Sequence, residues 1–214
     1  MSDNDGYAKF TAALSDPAAV VALLLTPNSS TVSVMIEVIF ANPGDHAEIA
    51  NALVAAIDTD PRRAAYAVTS LARRKFDFSG TNAVAALRPH VQAHSAVAVA
   101  LLQLGVAEPI VIERLEATLE DFDELSNTMS ALRWSVEAGV DPRPLAHIAL
   151  AALARDPESG VTVRAIRAFA EAGADMSGAV PELERRARGD EDDDDYDDEA
   201  AEALEAIRGS RVNP

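Results

Sequence analysis

The sequence predicts an all-α fold in which about six antiparallel helix pairs stack in series and a C-terminal half-unit follows. Two observations predict it. Gly105, Gly139 and Gly173 stand 34 residues apart, each closing an apolar run, and the apolar residues around them recur in register. Ala98, Leu132 and Ile166 lie seven residues before the glycine, and Leu102, Val136 and Ala170 lie three before it. Both columns share one helical face. Leu115, Ala149 and Leu183 come ten residues after the glycine, and Leu119, Leu153 and Ala187 fourteen after it. That is again a helical spacing, so each unit reads helix, turn, helix. Glycine suits the end of the first helix because it takes the left-handed backbone conformation without a Cβ clash.

The remaining elements follow in order. Residues 5–15 place Tyr7, Phe10 and Leu14 on one helical face, and Asp16-Pro17 opens a second helix that runs through Leu25 until Pro27 ends it. Residues 1–27 thus cap the stack. The stretch Asn28 to Thr31 supplies caps for a helix to Ala41, although the β-branched Val34, Ile36, Val38 and Ile39 would suit a buried strand equally well. Asn42-Pro43-Gly44 breaks it, and a helix over 45–57 carries Ile49, Leu53 and Ile57 at spacings of four. After Asp60-Pro61, residues 62–75 form a helix ending in Arg73-Arg74-Lys75, where positive charge complements the helix dipole. A basic docking patch is the sharper reading of that triplet. Residues 76–81 are a turn and 82–91 a further helix. Residues 28–93 are therefore divergent repeats in which Lys75 occupies the glycine's place, and 94–189 hold three regular ones. The acidic run 190–199 reads as an inter-helix loop, and 200–214 as a closing helix and tail carrying Ala200, Ala203, Leu204 and Ile207. The whole chain is expected to be a single domain. Asp-Pro pairs at 16, 60, 141 and 156 are expected to restart helices, with aspartate as cap and proline at the first helical position.

Composition bounds the function. Of 214 residues, 49 % are hydrophobic but only 5 % aromatic, which suits closely packed helix pairs better than one large core. The absence of cysteine excludes disulfides, thiolate metal sites and cysteine nucleophiles. The start lacks the profile of a secretory signal, and the apolar runs fall short of the roughly 18 residues that span a bilayer, so a cytoplasmic protein with no membrane partner is expected. The net charge is -17; residues 190–199 hold nine of the 35 acids, leaving 26 acids against 18 bases elsewhere. Lys9 and Lys75 are the only lysines. Such a balance resembles proteins of salt-loving archaea or of high-GC bacteria, and it argues against direct nucleic-acid binding, which draws its affinity from neutralising phosphates.

A period of 34 matches tetratricopeptide repeats, but their Trp, Tyr and Pro signature is missing. Glu171-Ala172-Gly173-Ala174-Asp175 resembles the end of an ankyrin second helix, yet Pro144 to Gly173 is too long for ankyrin's short helices. The stretch VRAIRAFAEAGADMSGAVPELERRARGDED, followed by EAAEALEAIRG, resembles HEAT repeats, especially the short kind found in phycobilisome lyase subunits. That resemblance implies a right-handed α-solenoid whose partners dock on the concave surface lined by the second helix of each pair. Here these would be residues 45–57, 82–91, 107–120, 143–155 and 178–188.

Candidate chemistry is sparse. His90 and His94 have a metal-ligand spacing, but Val91 stands where a zincin needs glutamate and Pro89 disturbs the helix. The acidic run lacks the glycine that lets a calcium loop turn, so it reads as a solvated loop, a docking site for a basic partner or an opportunistic cation site. Trp134 is expected to pack in the core or between repeats. No phosphate-binding glycine loop, serine elbow or triad pattern appears. The partner-binding candidates are Glu113, Glu116 and Glu120 on one stripe, Arg143 and His147, Glu184, Arg185 and Arg188, and Asp192, Asp193, Asp194 and Asp195 in the acidic run. The expected function is a non-enzymatic, monomeric adaptor for another protein, one with a basic surface being a candidate, and with no cofactor. An acidic antagonist of the immunity or nucleic-acid-mimicking type is the alternative, and a HEAT-like enzyme or bilin lyase subunit the lesser one.

Overall fold

The computed structural model describes residues 3–42, 44, 46–188 and 194–210, without the side chains of 3–7, 123 and 194–197. Among these residues there are thirteen α-helices and no strand. They are α1 (Asp3–Ala13), α2 (Pro17–Leu24), α3 (Ser29–Ala41), α4 (Ala47–Ala55), α5 (Pro61–Ala72), α6 (Ala83–Leu87), α7 (Ser95–Gln103), α8 (Pro109–Glu116), α9 (Phe122–Glu137), α10 (Ala146–Arg155), α11 (Gly160–Glu171), α12 (Val180–Ala187) and α13 (Asp194–Ser210). No described helix is long and apolar enough to cross a membrane.

The chain divides into two compact units, Met1–Val106 and Ala107–Pro214. In the first, α1, α3, α5 and α7 pack one on the next, and α2 packs on both α3 and α4. In the second, α11 lies between α9 and α13, with α10 against α11 and α12 against α13. The apolar columns read from the sequence supply these contacts. Ala98, Leu132, Ile166, Leu102, Val136 and Ala170 are all buried, as are Leu115, Ala149 and Leu183.

Four turns share one hydrogen-bond pattern. After α7, α9 and α11 the glycines sit at φ 81°, 101° and 85°. Each glycine amide donates to the carbonyl three residues back, and the following amide donates five back: Val106 to Leu101, Val140 to Ser135 and Ala174 to Phe169, at 2.9, 3.0 and 2.9 Å. This is a Schellman closure, which satisfies the last carbonyls of the helix. Lys75 builds the same closure after α5, with φ 64°, its amide on Ala72 and that of Phe76 on Leu71. Two residues past the left-handed position, Asp77, Asp141 and Asp175 each accept the amide of the second residue on, at 2.8, 3.0 and 2.9 Å. The divergent unit thus keeps the turn while losing its glycine.

The 29–41 segment is the expected helix and not a strand, because Asn28 caps Thr31 at 3.1 Å and Met35, Ile36, Val38 and Ile39 bury one helical side. Several other boundaries differ from the sequence reading. The basic triplet lies past the end of α5, with Arg74 paired to Glu37 at 2.6 Å and its guanidinium 4.5 Å from the Phe40 ring. Asp156-Pro157 does not open a helix; Ser159 caps α11 instead, accepting the Thr162 amide. The closing helix starts at Asp194, not at residue 200, so part of the acidic run is helical, where acids favour the positive end of the dipole. Tyr7 is outside the described side chains, and Phe10 and Leu14 are half-buried.

An added Cβ at Gly105, Gly139 or Gly173 would meet no atom within 4 Å, so only the backbone opposes it. Each glycine-to-alanine change should therefore cost about 1–2 kcal/mol. Lys75→Gly should be neutral or stabilising by up to about 1 kcal/mol, because relief of strain competes with a more flexible unfolded chain. Urea unfolding checks the ranking, and a loss on Lys75→Gly as large as that of Gly139→Ala would refute the shared turn.

Candidate functional site

The face expected to bind a partner consists of the second helices of the pairs, α8, α10 and α12 in the second unit. Their inner positions Val111, Leu115, Ile148, Ala149, Ala152, Leu153 and Leu183 are buried, which turns the intervening charged residues outward. Most of those charges already have partners within the chain. His147 meets Glu116 at 2.5 Å, tying α10 to α8. Arg155 reaches the Glu120 carbonyl at 3.1 Å and its carboxylate at 3.7 Å. Arg185 is held by Glu182 at 2.6 Å and by Glu158. Glu184 receives Arg208 from α13 at 3.4 Å, and its carbonyl accepts Arg188 at 2.9 Å. Arg143 lies on Asp141 at 2.8 Å.

Of the candidates, the structure therefore brings together Glu116 with His147, while Glu120, Glu184, Arg185, Arg188 and Arg143 take other partners. Glu113 is exposed and has no ion-pair partner among the described residues. Asp192 and Asp193 lie outside the described residues, and Asp194 and Asp195 begin α13 with only their backbone described.

Hydrogen bonding sets the electrostatics. The Arg143 guanidinium, followed by the Arg143 amide, holds the Asp141 carboxyl below the usual carboxylate value, and Asp141 in turn raises Arg143. Asp77 is likewise lowered by hydrogen bonds from Ser79. Arg185 is pushed up by Glu182 and then Glu158, and Arg167 by Glu171.

Sequence reading missed a second set of pairs. Arg164 meets Glu199 at 2.5 Å, and Arg167 meets Glu202, both linking α11 to α13 across 35 residues. The signal was present, since opposite charges recur near one repeat length. Arg186, next to the candidate Arg185, was not singled out by the sequence reading; it is buried, donating to the Pro157 carbonyl at 2.6 Å. Its long stem packs on α12's inner side while the head pins the connection before α11.

The other singled-out residues have structural surroundings. His90 ends a 3-10 turn over Arg88–His90 while His94 stands at the N-terminus of α7, so the two do not share one helix, and His90 meets Asp58 at 3.1 Å. Among the described residues no group of three or more His, Cys, Asp or Glu could hold a metal ion. Trp134 is half-buried rather than fully in the core, with the Arg133 guanidinium 5.7 Å from its ring. A cavity of about 380 Å³ lies between the Gly139 and Gly173 turns, lined by Val136, Arg143 and Ala172. No protein-family model, curated protein or solved structure matches the chain.

Two outcomes test this electrostatic picture. Asp77 and Asp141 have folded values below their ordinary 3.8, so their stabilising effect is complete above the ordinary range and is lost as pH falls through the depressed values. Asp141→Asn should thus flatten the acid limb of a stability–pH curve; an unchanged limb contradicts it. A double-mutant cycle on Arg164 and Glu199 should give a coupling of about 0.2–1 kcal/mol that shrinks with salt, read from urea midpoints.

Proposed function

We propose that the chain is a HEAT-like α-solenoid that acts as a non-enzymatic scaffold, offering the row of second helices to another protein. The observation that supports this most is the pairing within that row. Glu116 with His147 and Glu120 with Arg155 lace α8 and the 3-10 turn that follows it (Ala117–Glu120) to α10 before any partner arrives. Side chains already held in place lose less freedom on docking, so such a surface binds at lower entropic cost. The serial packing of α9, α11 and α13, and of α1, α3, α5 and α7, supports the solenoid part of the reading. It is the arrangement expected when a single helix pair cannot bury its own apolar face.

The internal pairing also favours a scaffold over an acidic antagonist. An antagonist needs carboxylates presented to a basic cleft, whereas Glu37, Glu120, Glu184, Glu199 and Glu202 each face an arginine of the same chain and Glu116 faces His147. In this reading the partner is a protein of mixed surface charge, and the protein carries out no chemistry of its own.

Affinity capture with the full chain should recover a partner in stoichiometric amount. Glu113→Arg, on α8, should weaken that complex about fivefold or more, while Glu205→Arg, exposed on α13, should leave it unchanged within twofold. Turnover of a small molecule by the isolated protein, with no partner recovered, would overturn the proposal.

A further inference from the structure

The first unit encloses a cavity of about 330 Å³ where the end of α3, the start of α4 and the turn after α5 meet. That volume is at the small end of the range for small-molecule sites. Its walls collect the chain's scarce residue types. Two of the six phenylalanines, Phe40 and Phe76, line it, with rings 6.3 Å apart and nearly edge-on, and the buried Phe78 backs Phe76 at 5.0 Å. His46 stacks on Phe76 at 6.0 Å with an interplanar angle of 9°. Its Nε2 is 3.1 Å from the Asn42 carbonyl, which fixes the ring.

One of the two lysines lines the same cavity, and it occupies a backbone position that the other three turns give to glycine. A lysine in the left-handed region is strained, so the turn alone does not account for it. Neither do the neighbouring charges. Arg74 is drawn off to Glu37, and Lys75 has no ion-pair partner among the described residues. Asp77 is explained by the turn, since its carboxylate accepts the Ser79 amide as Asp141 and Asp175 accept theirs. The exposed Asn51 also lines the cavity and has no hydrogen-bond partner among the described residues.

We propose that this cavity binds a small aromatic carboxylate, with Lys75 and Asn51 receiving the carboxylate and Phe40, Phe76 and His46 flanking the ring. One ammonium beside one carboxylate suits a monoanion better than a dianionic phosphate. The His46–Phe76 spacing leaves no room for a third ring between them, so the ligand lies against the pair. This site is independent of the scaffold reading.

Titration of the full chain with benzoate, followed by NMR, tests it. Signals of His46, Asn51 and Phe76 should shift with a dissociation constant on the order of 1–10 mM for so small a probe. Lys75→Gly, which the turn accommodates, should weaken binding about tenfold, and Lys75→Arg should keep it within about threefold. Neutral benzamide should bind more weakly than benzoate. The proposal fails if benzoate leaves those signals unmoved, if Lys75→Gly binds equally well, or if cationic benzylamine binds as tightly as benzoate.

Discussion

Each first helix has to end and reverse without burying a bare carbonyl, and a residue in the left-handed conformation accomplishes this at four places. Lys75, Gly105, Gly139 and Gly173 carry that conformation, with the same pair of backtracking amides behind each. An aspartate two residues on shapes the chain leaving three of the four turns, and after Asp141 and Asp175 a 3-10 turn leads straight into the next helix. Everything on the second helices, including the charged face, inherits its direction from this turn.

Packing then follows from the apolar columns. α11 shows the principle most fully, because Val163, Ile166, Phe169 and Ala170 are buried on a helix that touches α9 on one side and α13 on the other. A residue such as Phe169, completely buried, would cost about 3–5 kcal/mol if truncated to alanine. Small residues dominate the contacts, with Ala165, Ala168 and Ala170 letting neighbouring helices approach closely. The scarcity of aromatics is thus a condition of the architecture, and it makes the Phe40, Phe76 and Phe78 cluster stand out.

Charge is organised by the same period. Arg164 and Arg167 donate to carboxylates 35 residues away in the chain, and Arg155 donates to the Glu120 carbonyl at the same separation with that residue's carboxylate 3.7 Å away. Each such pair is exposed and contributes little alone. Together they hold the outward side chains in fixed positions, and they consume much of the acid that the sequence displays. The described residues remain net acidic, with 30 Asp and Glu against 17 Lys and Arg, but many of the cations lie against carboxylates, and the charges left without a partner become informative. Glu113 and Lys75 are the two that matter most here.

The sequence by itself determined the all-helical class, the 34-residue register and the buried columns, because helical periodicity and a left-handed glycine are local properties that the chain carries in its own order. It also places Lys75 at the position that the regular repeats give to glycine. It misjudged the start of α11, where Ser159 and not Asp156 is the cap, and the extent of α13, since caps compete locally, and it did not single out Arg186, whose long cationic stem packs inward. Only the tertiary structure decided which charges face each other, that Glu116 meets His147 while Glu113 stays alone, and that Phe40, His46 and Lys75 line one cavity. These depend on how helices distant in sequence lie against one another, and that distance is set by packing, not by spacing along the chain.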